Sequence, residues 1–290
     1  MPVMQLDSTR LYSSGLRKVD VETLARVIRL GRGAIFVCGP PGSGRRQAMY
    51  GLLNAVNRET HSLATIERTI REHLQGVSQT ELDPHQSLAE LIRALPRAYA
   101  DVLLIDPLEG VADAISLVRA SGRMVIIAGA VAESSLQPLC ELLEMGAPAR
   151  VICRIVTCVV STRRAPQLCP HCRRPTEMPL ELLTAFPPIQ EAALQFRAYS
   201  APGCAACDYT GRQGSIALYE VREVGPQLEG ILGGSFPADS LADAGLRTTV
   251  MGLVADALHK SGAGLVDLRD LEPLIRQCPT DSPFEKFWEQ

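Results

Sequence analysis

Residues 33–46 read GAIFVCGPPGSGRR, and this stretch decides the fold. Gly33–Cys38 is apolar without alternation, the pattern of a strand buried on both faces of a parallel sheet. Gly39-Pro-Pro-Gly42-Ser43-Gly44 follows as a glycine-rich turn, and behind it Ala48, Met49, Leu52, Leu53 and Val56 fall on one side of a helix. Strand, turn and helix together match the phosphate-loop template G-x-x-x-x-G-K-[S/T]. In that template backbone N–H groups wrap a phosphate at the positive end of the helix dipole.

The candidate nucleotide- or anion-binding residues are therefore Gly39, Gly42, Ser43, Gly44, Arg45 and Arg46. The last two depart from the template. Arg45 stands where a lysine reaches the phosphates as a compact charge, and a planar guanidinium is no like-for-like replacement. Arg46 stands at the hydroxyl position, offers no oxygen to Mg²⁺ and repels it. Three readings stay open on the loop alone: a turn that binds nothing, an anion or nucleotide site without efficient hydrolysis, and an ATPase with Arg45 in the lysine's role.

Further along the chain, Val102–Ile105 and Met124–Ala128 repeat the continuous apolar pattern. Helical spacing separates them, at Leu88, Leu91, Ile92 and Leu95, and at Val111, Ala114, Ile115 and Val118. Leu136, Leu139, Cys140 and Leu143 repeat the spacing once more, and Gly146 is a stop signal. Strands alternating with helices predict an α/β fold with a parallel-rich central sheet. Near the C-terminus Val250–Leu258 reads as an amphipathic helix stopped near Gly262, and Asp267–Arg276 as a final helix.

Composition narrows the function classes. With 29 Lys+Arg against 32 Asp+Glu, the formal net charge of −3 excludes a strongly basic nucleic-acid coat. Apolar residues at 46% are enough for a real core, and aromatics at 4% leave that core to Leu, Val, Ile and Ala. The stretches around Met124–Ala132 and Val151–Val160 fall well short of the ~20 residues that span a bilayer. MPVMQLDSTR has no signal-peptide pattern, so a cytoplasmic protein is expected, reaching a membrane only through a partner.

Four of the nine cysteines form two pairs, Cys169-Pro-His-Cys172 and Cys204-Ala-Ala-Cys207. Two such knuckles supply four thiolates for one tetrahedral Zn²⁺, a saturated site that staples a fold and does not catalyse. The candidate metal ligands are thus Cys169, Cys172, Cys204 and Cys207, with His171 a bystander. Cys38, Cys140, Cys153, Cys158 and Cys278 default to small buried apolar residues. The arginines 163, 164, 173 and 174 beside the first knuckle are too few for a nucleic-acid surface.

These motifs, in order from about Leu16 to Ile275, resemble the hexameric ATPases that power type II secretion and type IV pilus assembly. The strand and phosphate loop match, as does ATIE at Ala64–Glu67, similar to the start of that family's aspartate box. LIRALPRAYADVLLID at Leu91–Asp106 is similar to the run into its Walker B strand, with Arg93 and Arg97 in register. LCPHC, then Gly203–Cys207, then YTGRQGSIALY at Tyr209–Tyr219 resemble its tetracysteine module, and ALHKSGAGLVDLRDL at Ala257–Leu271 resembles its C-terminal helix and turn.

The resemblance implies a RecA-like phosphate-loop NTPase fold with a small zinc module and C-terminal helices. It also implies ATP or ADP as ligand, and a place in an oligomer at the inner membrane. The expected organisation is an extension over 1–20, the core over 21–164, the zinc module over 165–217, a helical part of the core over 218–276 and a tail over 277–290. Only about 15–20 residues precede the core, where family members carry a domain that packs on the neighbouring subunit, so the resemblance leaves open whether the chain assembles into a working ring, as a homo- or hetero-oligomer.

The departures fall on the residues of the reaction. Arg68 and Arg71 reverse the charge of the family's acidic pair after TIE, and the histidine box reads Ile127–Ala132 without a histidine. The Walker B acid falls in IDPLEG, where Asp106 and Glu109 are the acids on offer. Losing charge stabilisation on four segments at once reads as a pseudo-ATPase, with no catalytic residue assigned. The leading expectation is a structural or regulatory subunit that binds an inner-membrane platform or an active paralogue. Arg93 and Arg97 then serve structure or a neighbour's nucleotide, or form a solvated helix face. The alternatives are a Mg²⁺-independent sensor of ADP, a cyclic dinucleotide or another polyphosphate, and a slow ATPase with Asp106 holding the metal.

Overall fold

The computed structural model describes residues 4, 6–83, 85–95, 99–108, 116–117, 120, 122–144, 146–177, 197–224, 232 and 238–276, with 238–248 as backbone alone. The strands are β1 (Gly33–Cys38), β2 (Leu63–Glu67), β3 (Ser78–Glu81), β4 (Val102–Asp106), β5 (Val125–Ala130), β6 (Val156–Leu168), β7 (Arg174–Thr176), β8 (Ala198–Ser200) and β9 (Arg212–Glu223). The helices are α1 (Ser8–Ser13), α2 (Lys18–Ile28), α3 (Arg45–Ala55), α4 (Leu88–Ala94), α5 (Gln137–Glu144), α6 (Ala149–Ile155), α7 (Ala238–Gly262) and α8 (Glu272–Ile275).

Among these residues one sheet runs in the order β3-β2-β4-β5-β1-β6-β9, and β7 and β8 make a separate antiparallel pair. β1 is parallel to β5 from Gly33↔Val125 to Cys38↔Ala130, and to β6 from Ala34↔Val156 to Cys38↔Ser161. β4 is parallel to β2 and β5, and β3 to β2. Every residue of β1, β2, β4 and β5 is buried, which is why β1, β4 and β5 carry the continuous apolar runs read from the sequence; β2, LATIE, holds Thr65 and Glu67 and gives no such run. β3 is the edge, and its exposed SQTE carries no such signal.

The chain divides into two compact units. The first comprises Met1–Arg163 and Tyr219–Leu246. Its core joins Phe36, Leu103, Ile105 and Ile126 in the sheet to Leu88 and Ile92 of α4, Leu139 of α5 and Ile152 of α6. Each such side chain contributes about 1.5–3 kcal/mol relative to exposure. The second unit comprises Arg164–Leu218 and Arg247–Gln290. There the backbone N–H of Leu168 donates to the Leu265 carbonyl at 2.8 Å. A buried Lys260–Asp256 pair at 2.5 Å also directs its ammonium to the Ala217 carbonyl at 2.7 Å.

Three boundaries differ from the sequence expectation. β5 extends to Ala130, because the carbonyls of Gly129 and Ala130 accept from Leu108 and Gly39 although neither side chain adds apolar bulk. The helix expected over Val250–Leu258 is the C-terminal part of α7, which does end at Gly262. The single helix expected over Asp267–Arg276 is a 3-10 turn, Leu268–Leu271, followed by α8, because Asp267 caps the turn and Pro273 has no N–H with which to continue it. The helical spacing at 111–118, the stretch 178–196, and Arg97, Glu109, Cys278 and Trp288 lie outside the described residues, apart from Ser116 and Leu117.

Candidate functional site

The glycine-rich turn lies at the C-terminal end of β1, where ligands bind in open parallel sheets. Gly44 has φ +89° and opens α3, a conformation that L side chains rarely adopt. The loop is tied from the side: Thr162 Oγ1 donates to the Cys38 carbonyl at 3.1 Å, so Ser43 is the donor in its 2.9 Å contact with Thr162. Arg45 Nη1 also reaches the Gly39 carbonyl at 3.5 Å.

The two arginines meet Asp106, one of the two acids on offer for the Walker B position. Arg45 Nη2 lies 3.0 Å from Asp106 Oδ1, and Arg46 Nε lies 3.1 Å from Asp106 Oδ2. The Asp106 side chain is only 1% exposed, so both of its oxygens are committed to guanidinium groups in a poorly solvated place. Close approach is achieved through Gly129 of β5: a Cβ there would sit 2.4 Å from Asp106 Oδ1 and 2.9 Å from Met49 Sδ.

Glu67, the last residue of ATIE, is likewise committed. It is 1% exposed. It accepts from the hydroxyl of Tyr50, from Thr65 Oγ1 at 2.7 Å and from Gln79 Nε2 at 3.4 Å. Burial, with the bond to the Glu67 carboxylate second, pushes the Tyr50 phenol well above its ordinary pKa.

A cavity of about 500 Å³ lies at the C-terminal ends of β2, β4 and β5. Arg45, Arg46, Arg68 and Arg71 line it together with Leu108 and Glu141. Of the six sequence-predicted binding residues, Arg45 and Arg46 face this cavity, while Gly39, Gly42, Ser43 and Gly44 are not among its lining. The arginines from the phosphate loop and those after ATIE thus share one wall. Sequence reasoning missed Tyr50, Thr162, Gly129 and Glu141. Of these only Gly129 had a local signal, an isolated glycine within an apolar strand.

Magnesium does not fit this arrangement. It takes hard oxygen donors, whereas the Asp106 carboxylate is paired twice with guanidinium and Arg46 puts no oxygen at the loop's hydroxyl position. Arg93 is exposed and bonds its own helix through the Ala89 carbonyl at 3.0 Å. Arg163 is spent on Glu133, 2.9 Å away.

In the second unit the four knuckle cysteines converge, with all Sγ atoms within 4.8 Å of one another. Cys169–Cys204, Cys172–Cys207 and Cys204–Cys207 are 3.9, 4.0 and 3.8 Å apart. That is nearly twice the ~2.05 Å of a disulfide bond. It matches the roughly 3.8 Å edge of a tetrahedron with Zn–S near 2.3 Å. Desolvation opposes a thiolate at Cys207, but backbone N–H groups of Cys204 and Gly211 outweigh it and draw its pKa down to about 6. The same N–H groups lie 3.2 and 3.3 Å from its sulfur. Arg212 closes the unit with a fork onto Asp270 and Asp267.

A phosphate loop behind the central strand of a mostly parallel sheet, with an acid ending the next strand but one, defines a RecA-like phosphate-loop NTPase fold. The chain belongs to the type II/IV secretion system protein family, whose pattern it matches over residues 3–272. It is 27% identical over 268 residues to the type IV pilus assembly ATPase PilB of Pseudomonas aeruginosa, covering 90% of this chain and 47% of that protein. To the type II secretion system ATPase E of Vibrio cholerae it is 26% identical over 283 residues, covering 96% and 56%. The chain spans about half the length of the curated relatives it matches.

Among solved structures, the Legionella pneumophila ATPase DotB superposes with a TM-score of 0.61 at 15% identity, covering 91% of this chain and 64% of that one. The pilus retraction motor PilT with bound ADP superposes at 0.59 and 17%, covering 96% and 68%. At these identities the likeness is one of fold. Among the described residues no helix is long and apolar enough to cross a membrane.

Proposed function

We propose that the chain is a non-hydrolysing member of its family, a structural or regulatory subunit of a pilus or secretion machine. The observation that carries this reading is Asp106 clasped by Arg45 and Arg46. Phosphoryl transfer needs a metal held at the β- and γ-phosphates and a carboxylate to orient the attacking water. Here the acid that would hold the metal is neutralised by the residues that replaced the loop's lysine and hydroxyl. The second buried acid, Glu67, is occupied by Tyr50 and Thr65. The family relationship and the names of the relatives support a place at the cytoplasmic side of the inner membrane. The partners there would be a membrane platform or an active ATPase paralogue, in a homo- or hetero-oligomer, with ATP or ADP as an unhydrolysed ligand of the loop. One zinc ion held by Cys169, Cys172, Cys204 and Cys207 would supply a structural staple to the second unit.

The test is phosphate release from ATP with and without Mg²⁺, for the native chain and for the Arg45→Lys, Arg46→Thr double variant. The expected result is no Mg²⁺-dependent release in either, since Glu67 stays tied and the histidine box stays empty. Release that scales with protein, needs Mg²⁺ and vanishes in Asp106→Asn would overturn the reading.

A further inference from the structure

The cavity beside Asp106 is organised for anions in its own right. Four arginines line it against one lining carboxylate, Glu141. Arg45 and Arg46 each give one N–H to Asp106. A guanidinium carries five N–H donors, and Arg45 Nε is buried without a hydrogen-bond partner. The cavity's volume of about 500 Å³ lies within the range of ligand pockets. Its place, over the C-terminal ends of β2, β4 and β5, is where parallel sheets receive ligands.

We infer that this cavity binds a compact polyphosphate chain without Mg²⁺, and that Asp106 is a built-in competitor which pairs with Arg45 and Arg46 until the anion arrives. The inference rests on the proposed reading of Asp106 as an acid withdrawn from metal binding. Its chemistry follows from the lining. Arginine forks match phosphate oxygens in planar, charge-assisted pairs, so several can share one chain of phosphates where an unneutralised cluster would otherwise repel itself. A metal adds nothing in such a site, because the guanidinium groups already supply the positive charge. Asp106 lowers the cost of holding Arg45 and Arg46 together, and it does so at the expense of anion affinity. Charge also sets the ligand class. A tri- or diphosphate, free or carried on a nucleoside, brings enough negative charge to displace a carboxylate, whereas a single phosphodiester does not.

The experiment is calorimetric titration of the intact, metal-loaded chain with sodium tripolyphosphate, ATP and ADP, in EDTA-free buffer with and without Mg²⁺. Tripolyphosphate is expected to bind at least as tightly without Mg²⁺ as with it. Binding should weaken steeply between about 50 and 300 mM NaCl, as screening of exposed charges requires. Arg71→Ala, at an exposed position, should weaken it roughly tenfold, the usual loss of a hydrogen bond to a charged group. Asp106→Asn should tighten it by a similar factor. Equal affinity for ATP and tripolyphosphate would assign recognition to the phosphates, and tighter ATP binding would assign a nucleoside-carried chain.

Absence of tripolyphosphate and nucleotide binding, binding that requires Mg²⁺, or binding unmoved by Arg71→Ala would each overturn the inference. If Asp106→Asn does not fold, the Arg71→Ala and salt measurements decide. Phosphate release measured alongside separates the two proposals: turnover removes the non-hydrolysing reading, and silence in the titration of an inert chain removes this inference alone.

Discussion

Asp106 sits where two demands meet: it is buried at the end of β4, and it holds two cations that the loop sequence places side by side. A carboxylate in such a place is tolerable only because both oxygens are paired. Replacing it with asparagine leaves Arg45 and Arg46 facing each other, 15% and 36% exposed as side chains. Partial solvation softens the loss below that of a fully buried pair. Urea denaturation of Asp106→Asn should therefore show a destabilisation of about 2–3 kcal/mol, and an unchanged midpoint would mean the pairs contribute nothing to the fold. Two thiols give a second prediction at this scale. Burial pushes Cys38 and Cys158 far above the ordinary thiol range. Since the thiolate is the nucleophile, both should resist iodoacetamide at about pH 8 in the folded chain and react once it is unfolded. Peptide mapping of native alkylation at either cysteine would contradict the packing around β1 and β6.

Glycines in two elements respond in opposite directions to the same added methyl group. In α3, Gly51 has only Ser14 Oγ, at 3.8 Å, near a built Cβ, so Gly51→Ala should stabilise by about 0.5–1 kcal/mol through helix propensity. In β5, Gly129→Ala places a Cβ 2.4 Å from Asp106 Oδ1, and overpacking there should cost about 1–3 kcal/mol. Thermal melts of the two variants, with shifts of opposite sign, check both. The contrast also shows what could be read from sequence. β1, β4 and the start of β5 were legible because burial on both faces leaves an uninterrupted apolar run. β6 was not, because Thr162, Arg163 and Arg164 give its sequence a mixed character. The four cysteines were legible because their spacing is local. The Asp106 pairs lie 61 and 60 residues from Arg45 and Arg46. No periodicity links such positions, so the sequence could mark three departures from a template without saying that they meet.

At the scale of the whole molecule the two units rest on different sources of stability. The first has a continuous apolar core on its sheet, and the ladder around β1 is completed by Val125–Ala130 and Val156–Ser161, all within that unit. The second buries Val250, Leu253, Val254 and Leu268, and its knuckles are tied by a two-stranded pair, the Arg212 fork and four converging thiols. Where thiolates converge only in the folded state, metal affinity is folding free energy. The chain should therefore carry one zinc by elemental analysis and lose it in Cys204→Ser. Stripping the ion with a chelator should collapse amide protection at Cys169–Arg173 and Cys204–Gly211, where the N–H groups of Cys169, Arg173, Cys204, Cys207, Tyr209, Thr210 and Gly211 bond to the knuckles' own sulfurs and carbonyls. Protection at Gly33–Cys38 should survive, because every hydrogen bond of that strand's ladder is made to strands of the first unit. Hydrogen exchange read peptide by peptide gives the answer. Equal loss in both segments would mean that the first unit's stability depends on the bound metal as well, and unchanged exchange at the knuckles would mean the thiols are not a metal site.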